Sequence, residues 1–252
     1  MFVTCCTHLK IMSKLREKEV LSFSHYLELM TTEAEFTRPP DGSFFLYRGQ
    51  QDSLWRLAPK IARYTHASDI LKLEQEVFSE FKRYGRPYIS SDILNNEWDC
   101  LALAQHHHLP TRLLDWTANP LVALWFAFAE SSDKIDSRAV WISKMSTTQI
   151  VEVGKSSPFN QSVTKAFKPS HITNRITAQN GWFTTHKYLD LKAKFIPLDN
   201  NVRFKDNLLK INMKNSLRDE VLFGLDLLGI NAYSLFPDVD GISQYLGWRY
   251  FP

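Results

Sequence analysis

Residues 100–130 read CLALAQHHHLPTRLLDWTANPLVALWFAFAE, and Pro110 and Pro120 divide them into three elements. The run WDCLALAQHH, residues 98–107, has the apolar content of a buried helix. It has to end ahead of Pro110, because the residue before a proline is pushed out of the α region. TRLLDW (111–116) follows as a short strand or extended turn. Asn119-Pro120 then opens PLVALWFAFAE (120–130), with proline at the first helical position, where its missing N–H is harmless. Helix, strand and helix therefore carry three histidines, Arg112, Asp115 and the flanking Thr111 and Thr117.

Working outward, FFLYRG (44–49) is short, aromatic and bounded by turn formers, as a buried strand should be. AVWISK (139–144) reads as a strand, and NRITAQNGWFTTH (174–186) and AKFIPL (193–198) give two further strand candidates, with Asn180-Gly181 as a turn or bulge. Residues 16–34 place Val20, Phe23, Tyr26, Leu27 and Met30 at helical intervals. Residues 69–84 open on an Asp69 cap and carry Ile70, Leu73, Val77, Phe78 and Phe81 on one face. Helices are expected again over SLRDEVLFGLDLLGI (216–230), up to Gly229, and from DVDGISQYLGW (238–248). Strands separated by helices without a regular βαβ repeat give an α+β fold, and no linker or internal repeat divides it. The expected organisation is an N-terminal helical segment, residues 1–40, packed on one domain, residues 41–252.

The 252 residues, 44% of them hydrophobic, are ample for a core. No window reaches about 18 uninterrupted apolar residues, and the N-terminus lacks the apolar stretch and cleavage site of a signal peptide, so a soluble, cytoplasmic protein without a membrane partner is expected. Cys5, Cys6 and Cys100 are expected as reduced thiols. A net charge of +3 comes from 30 basic and 27 acidic residues, mostly interspersed. Lys82, Arg83 and Arg86 in FKRYGRPY, with Arg56, Lys60 and Arg63 upstream, form local basic clusters, for which a solvated helix face is the commoner reading and a phosphate-facing surface the alternative.

Consecutive helical positions point about 100° apart, so His106, His107 and His108 do not converge on one ion, and no metal site is expected. A helix end with one ring inside, one half-covered and one in water accounts for them. GxSxG, GxxxxGK[ST] and GxGxxG are absent, which argues against a hydrolase elbow, a P-loop and a Rossmann site. What stands out is charge within apolar segments: Arg48 behind FFLY, and Arg112 and Asp115 flanking two leucines. Either these groups pair with one another or with carbonyls, or Arg48 holds a phosphate or carboxylate at the floor of a cleft.

At these residues the sequence resembles the FRG domain family, named for a Phe-Arg-Gly signature that appears here as FFLYRGQQDSLWRLAPKIAR (44–63) with Tyr47 in the aromatic place. A second family block stands intact from Gln105 to Ala127, a third is RITAQNGWF (175–183), and a fourth is GINAYSLFPDVDG (229–241). A remoter resemblance is to ADP-ribosyltransferases of the arginine-motif type, in which an aromatic-Arg pair, a Ser/Thr-bearing strand running into a helix, and a Glu- or Gln-bearing strand follow in this order. That resemblance implies an ADP-ribosyltransferase-like split β-sheet flanked by helices, with NAD as substrate. It implies catalytic roles for Arg48, Asp115, Thr117 and Gln179, and a binding pocket shaped by Tyr47, Gly49, Gln50, His107, Thr111, Arg112, Trp116, Arg175 and Phe183. The departures are Asp115-Trp116-Thr117 in place of Ser-Thr-Ser, and Gln179 where active transferases carry Glu; Glu220 in RDEVLF offers a carboxylate, but inside a helical pattern.

Such an enzyme would pass ADP-ribose to a protein or nucleic acid, and by family analogy would act as a toxin or anti-phage effector with a neutralising partner. The competing expectation is a non-catalytic module that binds a nucleotide or nucleic acid in the same cleft.

Overall fold

The computed structural model describes residues 15–32, 42–66, 69–170, 173–189, 194–202 and 204–251. Cys5, Cys6 and the boundary expected near residue 40 lie outside them. The strands are β1 (Arg16–Val20), β2 (Phe44–Gln50), β3 (Leu113–Thr117), β4 (Ser137–Met145), β5 (Lys165–Phe167), β6 (Gly181–Thr185), β7 (Tyr188–Leu189), β8 (Lys194–Phe195) and β9 (Leu208–Lys214). The helices are α1 (Phe23–Thr32), α2 (Ile70–Gly85), α3 (Ser91–Asn95), α4 (Glu97–His106), α5 (Pro120–Phe128), α6 (Asn174–Ala178), α7 (Arg218–Leu227), α8 (Ala232–Leu235) and α9 (Val239–Tyr250).

Ala139, Val140, Trp141 and Ile142 of β4 are all buried, the pattern of a strand covered on both faces. β4 is the third strand of a seven-stranded sheet ordered β1-β9-β4-β2-β3-β6-β5, antiparallel except for the β1–β9 pair. β7 and β8 form a separate two-stranded ribbon. The fold is α+β around this one sheet. Seven consecutive residue pairs join β2 to β4, but a single pair, Tyr47 with Thr117, joins β2 to β3. The sheet is thus continuous, with a one-pair joint between β2 and β3.

One face is covered by α1, α5, α7 and α8, whose Tyr26, Leu124, Phe128, Val221 and Leu225 pack on Val140, Ile142 and Ile211. Beyond the joint, α2, α3 and α4 pack Phe78, Leu94 and Leu101 against Leu113, Phe167 and Phe183. The opposite face of the central strands is closed by chain segments without long helices, through Leu57, Leu198 and Phe204 against Leu46, Trp116 and Trp141. The carbonyls left over at the end of α5 are met by Arg138, whose Nη1 and Nη2 donate to Ala127 and Glu130 at 2.6 and 2.7 Å; a guanidinium there also suits the negative end of the helix.

Three expectations change. Residues 16–20 are not the start of a helix but β1, whose backbone is satisfied by parallel pairing with β9; α1 begins only after Ser22, whose Oγ accepts the His25 N–H at 3.1 Å. NRITAQNGWFTTH is half helix: Thr173 caps α6 by accepting from Ile176 N at 3.2 Å, Asn180 turns the chain at φ 47°, and only Gly181–Thr185 is strand. Strands β5 and β9 fall where none was expected.

Candidate functional site

The sparse pairing between β2 and β3 leaves Arg48 standing in a fork. Its Nη1 donates to the Asp115 carbonyl oxygen at 2.7 Å and lies 3.5 Å from the Asp115 carboxylate. The guanidinium takes up a carbonyl beside the joint, where the β2–β3 ladder is no longer paired. Its Nε is buried without a hydrogen-bond partner. Burial lowers the Arg48 pKa, the Asp115 carboxylate raises it and Arg63 lowers it; from so high a starting value the group stays charged.

A cleft of about 470 Å³ opens over the fork, within the range of small-molecule sites. Arg48, Lys60, Arg63 and Arg175 line it, against one carboxylate, Asp115, among the described residues. Trp55, Trp116, Phe126 and Phe236 supply aromatic walls, and Tyr47 and Thr117 also face it. Arg175 is already engaged, with Nε 2.6 Å from Asp238 Oδ2 and its guanidinium 5.2 Å from the Phe236 ring centroid. Asp238 in turn accepts the Gly241 N–H at 3.0 Å and so caps α9, and a side chain at Gly241 would collide with the Phe236 carbonyl oxygen at 1.9 Å. Lys60 donates to the His108 carbonyl oxygen at 2.9 Å. The cleft therefore favours an anionic ligand with flat apolar parts.

Asp115 is placed by a short relay. The Leu113 N–H donates to Thr111 Oγ1 at 3.1 Å, Thr111 Oγ1 donates to Gln105 Oε1 at 2.7 Å, and Gln105 Nε2 donates to both Asp115 oxygens at 3.2 and 3.4 Å. Gln105 was not among the expected site residues, although its amide is what holds the carboxylate. The Asp115 side chain remains 54% exposed, and it faces the cleft.

Residues 43–136 match the family model of the FRG domain. Over that stretch the chain is similar to the FRG domain. No curated protein and no solved structure matches the chain. The FRG stretch begins after β1 and ends just before β4, so the sheet that presents its arginine is completed by strands on both sides of it in sequence.

The glycine of the FRG signature has a packing role. A Cβ on Gly49 would lie 2.0 Å from the Ala123 carbonyl oxygen and 2.5 Å from the Ala127 nitrogen, both backbone atoms of α5, so the helix seats directly on β2 only because this position is bare. Gln50 is also structural as well as cleft-lining: its Oε1 accepts from Trp141 Nε1 at 2.7 Å and its Nε2 donates to the Arg56 carbonyl oxygen at 3.3 Å. Trp116 lines the cleft with its Nε1 bonded to Thr184 Oγ1 at 2.9 Å. Thr117 donates to the Gln179 carbonyl oxygen at 2.6 Å and accepts from Asn119 N at 3.0 Å, which ties β3 to the start of α5. Gln179 lines the cleft from the end of α6 rather than from a strand, and its Nε2 donates to the Leu235 carbonyl oxygen at 3.2 Å.

Four expected pocket residues lie elsewhere. Arg112 is buried against Glu74 of α2, and Thr111 is buried beneath Gln105. Phe183 belongs to the core under α4, and His107 is exposed at the end of α4, where it lines an apolar groove with Phe81 and Tyr84. Glu220 sits on α7, where Oε1 accepts from Phe23 N at 2.8 Å. None of the three consecutive histidines is inside: His106 is half-buried in the cleft and the other two are exposed.

The buried imidazole is His186 instead. Its Nε2 lies 3.3 Å from Thr184 Oγ1 and its Nδ1 3.3 Å from the Ile196 carbonyl oxygen, an arrangement that suits a neutral ring protonated on Nδ1. Burial pushes its pKa down to about 4, opposed by the Ile196 carbonyl and reinforced by Arg48. The unfolded chain binds this proton near pH 6.5 and the folded chain only near 4, so stability is complete above pH 6.5 and falls by about 3 kcal/mol as the pH drops to 4. Urea denaturation across that range should show His186→Gln losing less stability than the parent. Parallel losses in the two proteins would assign the acid sensitivity to other groups.

Proposed function

We propose that the cleft binds NAD and that the protein is an ADP-ribosyltransferase-like enzyme. The observation that carries this reading is the convergence at one cleft of Arg48, Asp115, Thr117 and Gln179, drawn from β2, β3 and the end of α6. The residues fit the ligand. A pyrophosphate suits a pocket with Arg48, Lys60 and Arg63 and a buried guanidinium nitrogen without a protein partner; the nicotinamide and adenine rings suit the aromatic walls.

The reaction breaks the bond between C1′ of the ribose and the pyridinium nitrogen. The electron pair leaves with nicotinamide, positive charge develops on the ribose, and a nucleophile of the acceptor bonds to C1′ and gives up its proton. Stabilisation of that cation requires negative charge placed in advance. Gln179 supplies none, and Asp115 is the carboxylate at hand, held by Gln105 and Arg48. From that position it serves as electrostatic partner of the ribose and as acceptor of the nucleophile's proton. An enzyme of this class that modifies cellular macromolecules fits a toxin or defence effector kept in check by a neutralising partner.

Release of nicotinamide from NAD by the purified protein tests the reading. Asp115→Asn should lower kcat by about a hundredfold with NAD affinity nearly unchanged, the scale of losing one preorganised electrostatic group. Gln105→Leu should lower kcat by about tenfold at constant KM, because it acts only by positioning the carboxylate. NAD binding without release would make the cleft a nucleotide-binding module. Neither binding nor release would end the NAD assignment.

A further inference from the structure

The wall of the cleft formed by Trp55, Ala58 and Arg63 is shared with a second groove of about 820 Å³. Arg56, Arg63 and Lys194 line that groove together with Trp55, Tyr64 and Tyr188, and no carboxylate lines it among the described residues. The rings are accessible: Trp55 is 44% and Tyr64 48% exposed, and the Arg63 guanidinium lies 5.9 Å from the Trp55 ring centroid. The loop that bears Trp55 is also fixed in place. Gln50 holds the Arg56 carbonyl, Asp199 accepts from Arg56 and from the Leu57 N–H, and the Leu57 carbonyl accepts from Leu198 N at 2.8 Å.

We propose that this groove binds single-stranded nucleic acid and serves as the acceptor subsite of the transferase, an assignment that rests on the NAD reading of the neighbouring cleft. Unpaired bases stack on exposed aromatic rings whatever their sequence, while cations along the same surface track the phosphates. Both elements are on the groove wall, and the part of it that carries Trp55 and Arg56 is held by the hydrogen bonds of Gln50 and Asp199. An acidic peptide would match the charge but would leave the two rings without flat partners. Because Trp55 and Arg63 face the groove on one side and the cleft on the other, a strand lying in the groove brings its nucleophilic oxygen or nitrogen next to the NAD ribose. That atom bonds to C1′ as nicotinamide departs with the electron pair, and its proton passes to Asp115.

Fluorescence anisotropy of a short labelled single-stranded oligonucleotide with the full chain tests the proposal, with NAD titration run on the same proteins. The wild type should bind the single strand more tightly than the same sequence as duplex, with affinity falling as salt rises. Tyr64→Ala and Lys194→Glu, whose side chains line the groove and not the cleft, should each weaken oligonucleotide binding by about tenfold, while melting and NAD affinity stay as in the parent. Absence of oligonucleotide binding, equal preference for duplex, or binding that both variants leave unchanged overturns the proposal. So does transfer of label from NAD to proteins alone. Oligonucleotide binding that the variants lose, in a protein unable to bind NAD, would keep the groove as a nucleic-acid site and remove the transferase reading. NAD cleavage without oligonucleotide binding would remove the groove assignment and leave the transferase reading standing.

Discussion

Replacing Glu74 by alanine should remove about 3–5 kcal/mol of folding stability, the loss expected when one partner of a buried ion pair is deleted and the other stays behind. Glu74 and Arg112 are 1% and 2% exposed. The Glu74 carboxylate accepts from the Arg112 backbone N–H at 3.0 Å and from its Nε and Nη2, and Nη1 donates to the Phe159 carbonyl oxygen at 3.0 Å. The rings of Phe159 and Phe195 lie 5.1 and 5.7 Å from the guanidinium carbon. One side chain therefore ties α2, the start of β3 and the Pro158–Phe159 segment together, and its burial keeps solvent from taking over once the carboxylate is gone. Glu74→Gln keeps one of the two acceptor oxygens and should lose less than alanine. Joint replacement by Glu74→Met and Arg112→Leu should recover part of the loss, since it removes both charges. Urea denaturation measures all three. A Glu74→Ala protein within about 1 kcal/mol of the parent would contradict the buried-pair account.

The pairing of Arg112 was not legible in the sequence: Glu74 lies on the apolar face of its helix, in line with Ile70 and Phe78 and unlike the exposed Glu76 and Glu80, but nothing local says which cation it meets. By contrast, the helix–strand–helix path through residues 97–128 was legible, since its ends are set by local chemistry: Pro110 stops the first helix, and Asn119 caps the second by accepting from Leu121 N at 2.9 Å, with Pro120 behind it. Strand β9 carried a signal too, with Leu209, Ile211 and Met213 alternating with Lys210 and Asn212. β1 did not: of its five residues only Val20 is buried, and charges on an edge strand look like a solvated helix face. For the site, Arg48 and Asp115 were recognisable as charge inside apolar segments. What they do depends on the lapse of pairing between β2 and β3, a property of two strands far apart in sequence. Thr173, a good helix cap directly ahead of NRITA, was the local cue that Gln179 would end a helix and not lie on a strand.

Arg48→Ala should weaken NAD binding by about 2–5 kcal/mol, the range for losing a charge-assisted partner in a desolvated site, yet leave folding largely intact. Burial decides this split. The Glu74 carboxylate left behind by an Arg112 truncation has no solvent to turn to, whereas the Asp115 side chain is 54% exposed and hydrogen-bonded by Gln105, so water takes the place of the guanidinium. Against this, the truncation gives up the 2.7 Å bond to the Asp115 carbonyl beside the β2–β3 joint, worth about 1–3 kcal/mol. It also removes the buried Nε that has no protein partner, which offsets some of that cost. Arg48→Lys separates charge from geometry: an ammonium that reaches the carbonyl has no second planar face of donors for a phosphate, so binding should fall nearly as far as in the alanine variant while the melting temperature stays close to the parent. Isothermal titration with NAD and thermal melts on the same preparations give the comparison. If Arg48→Ala and Arg48→Lys both melt early and bind as the parent does once folded, the arginine is a brace for the fork alone. Wild-type affinity and wild-type melting in Arg48→Lys together would mean that positive charge suffices there and that the fork of donors recognises nothing.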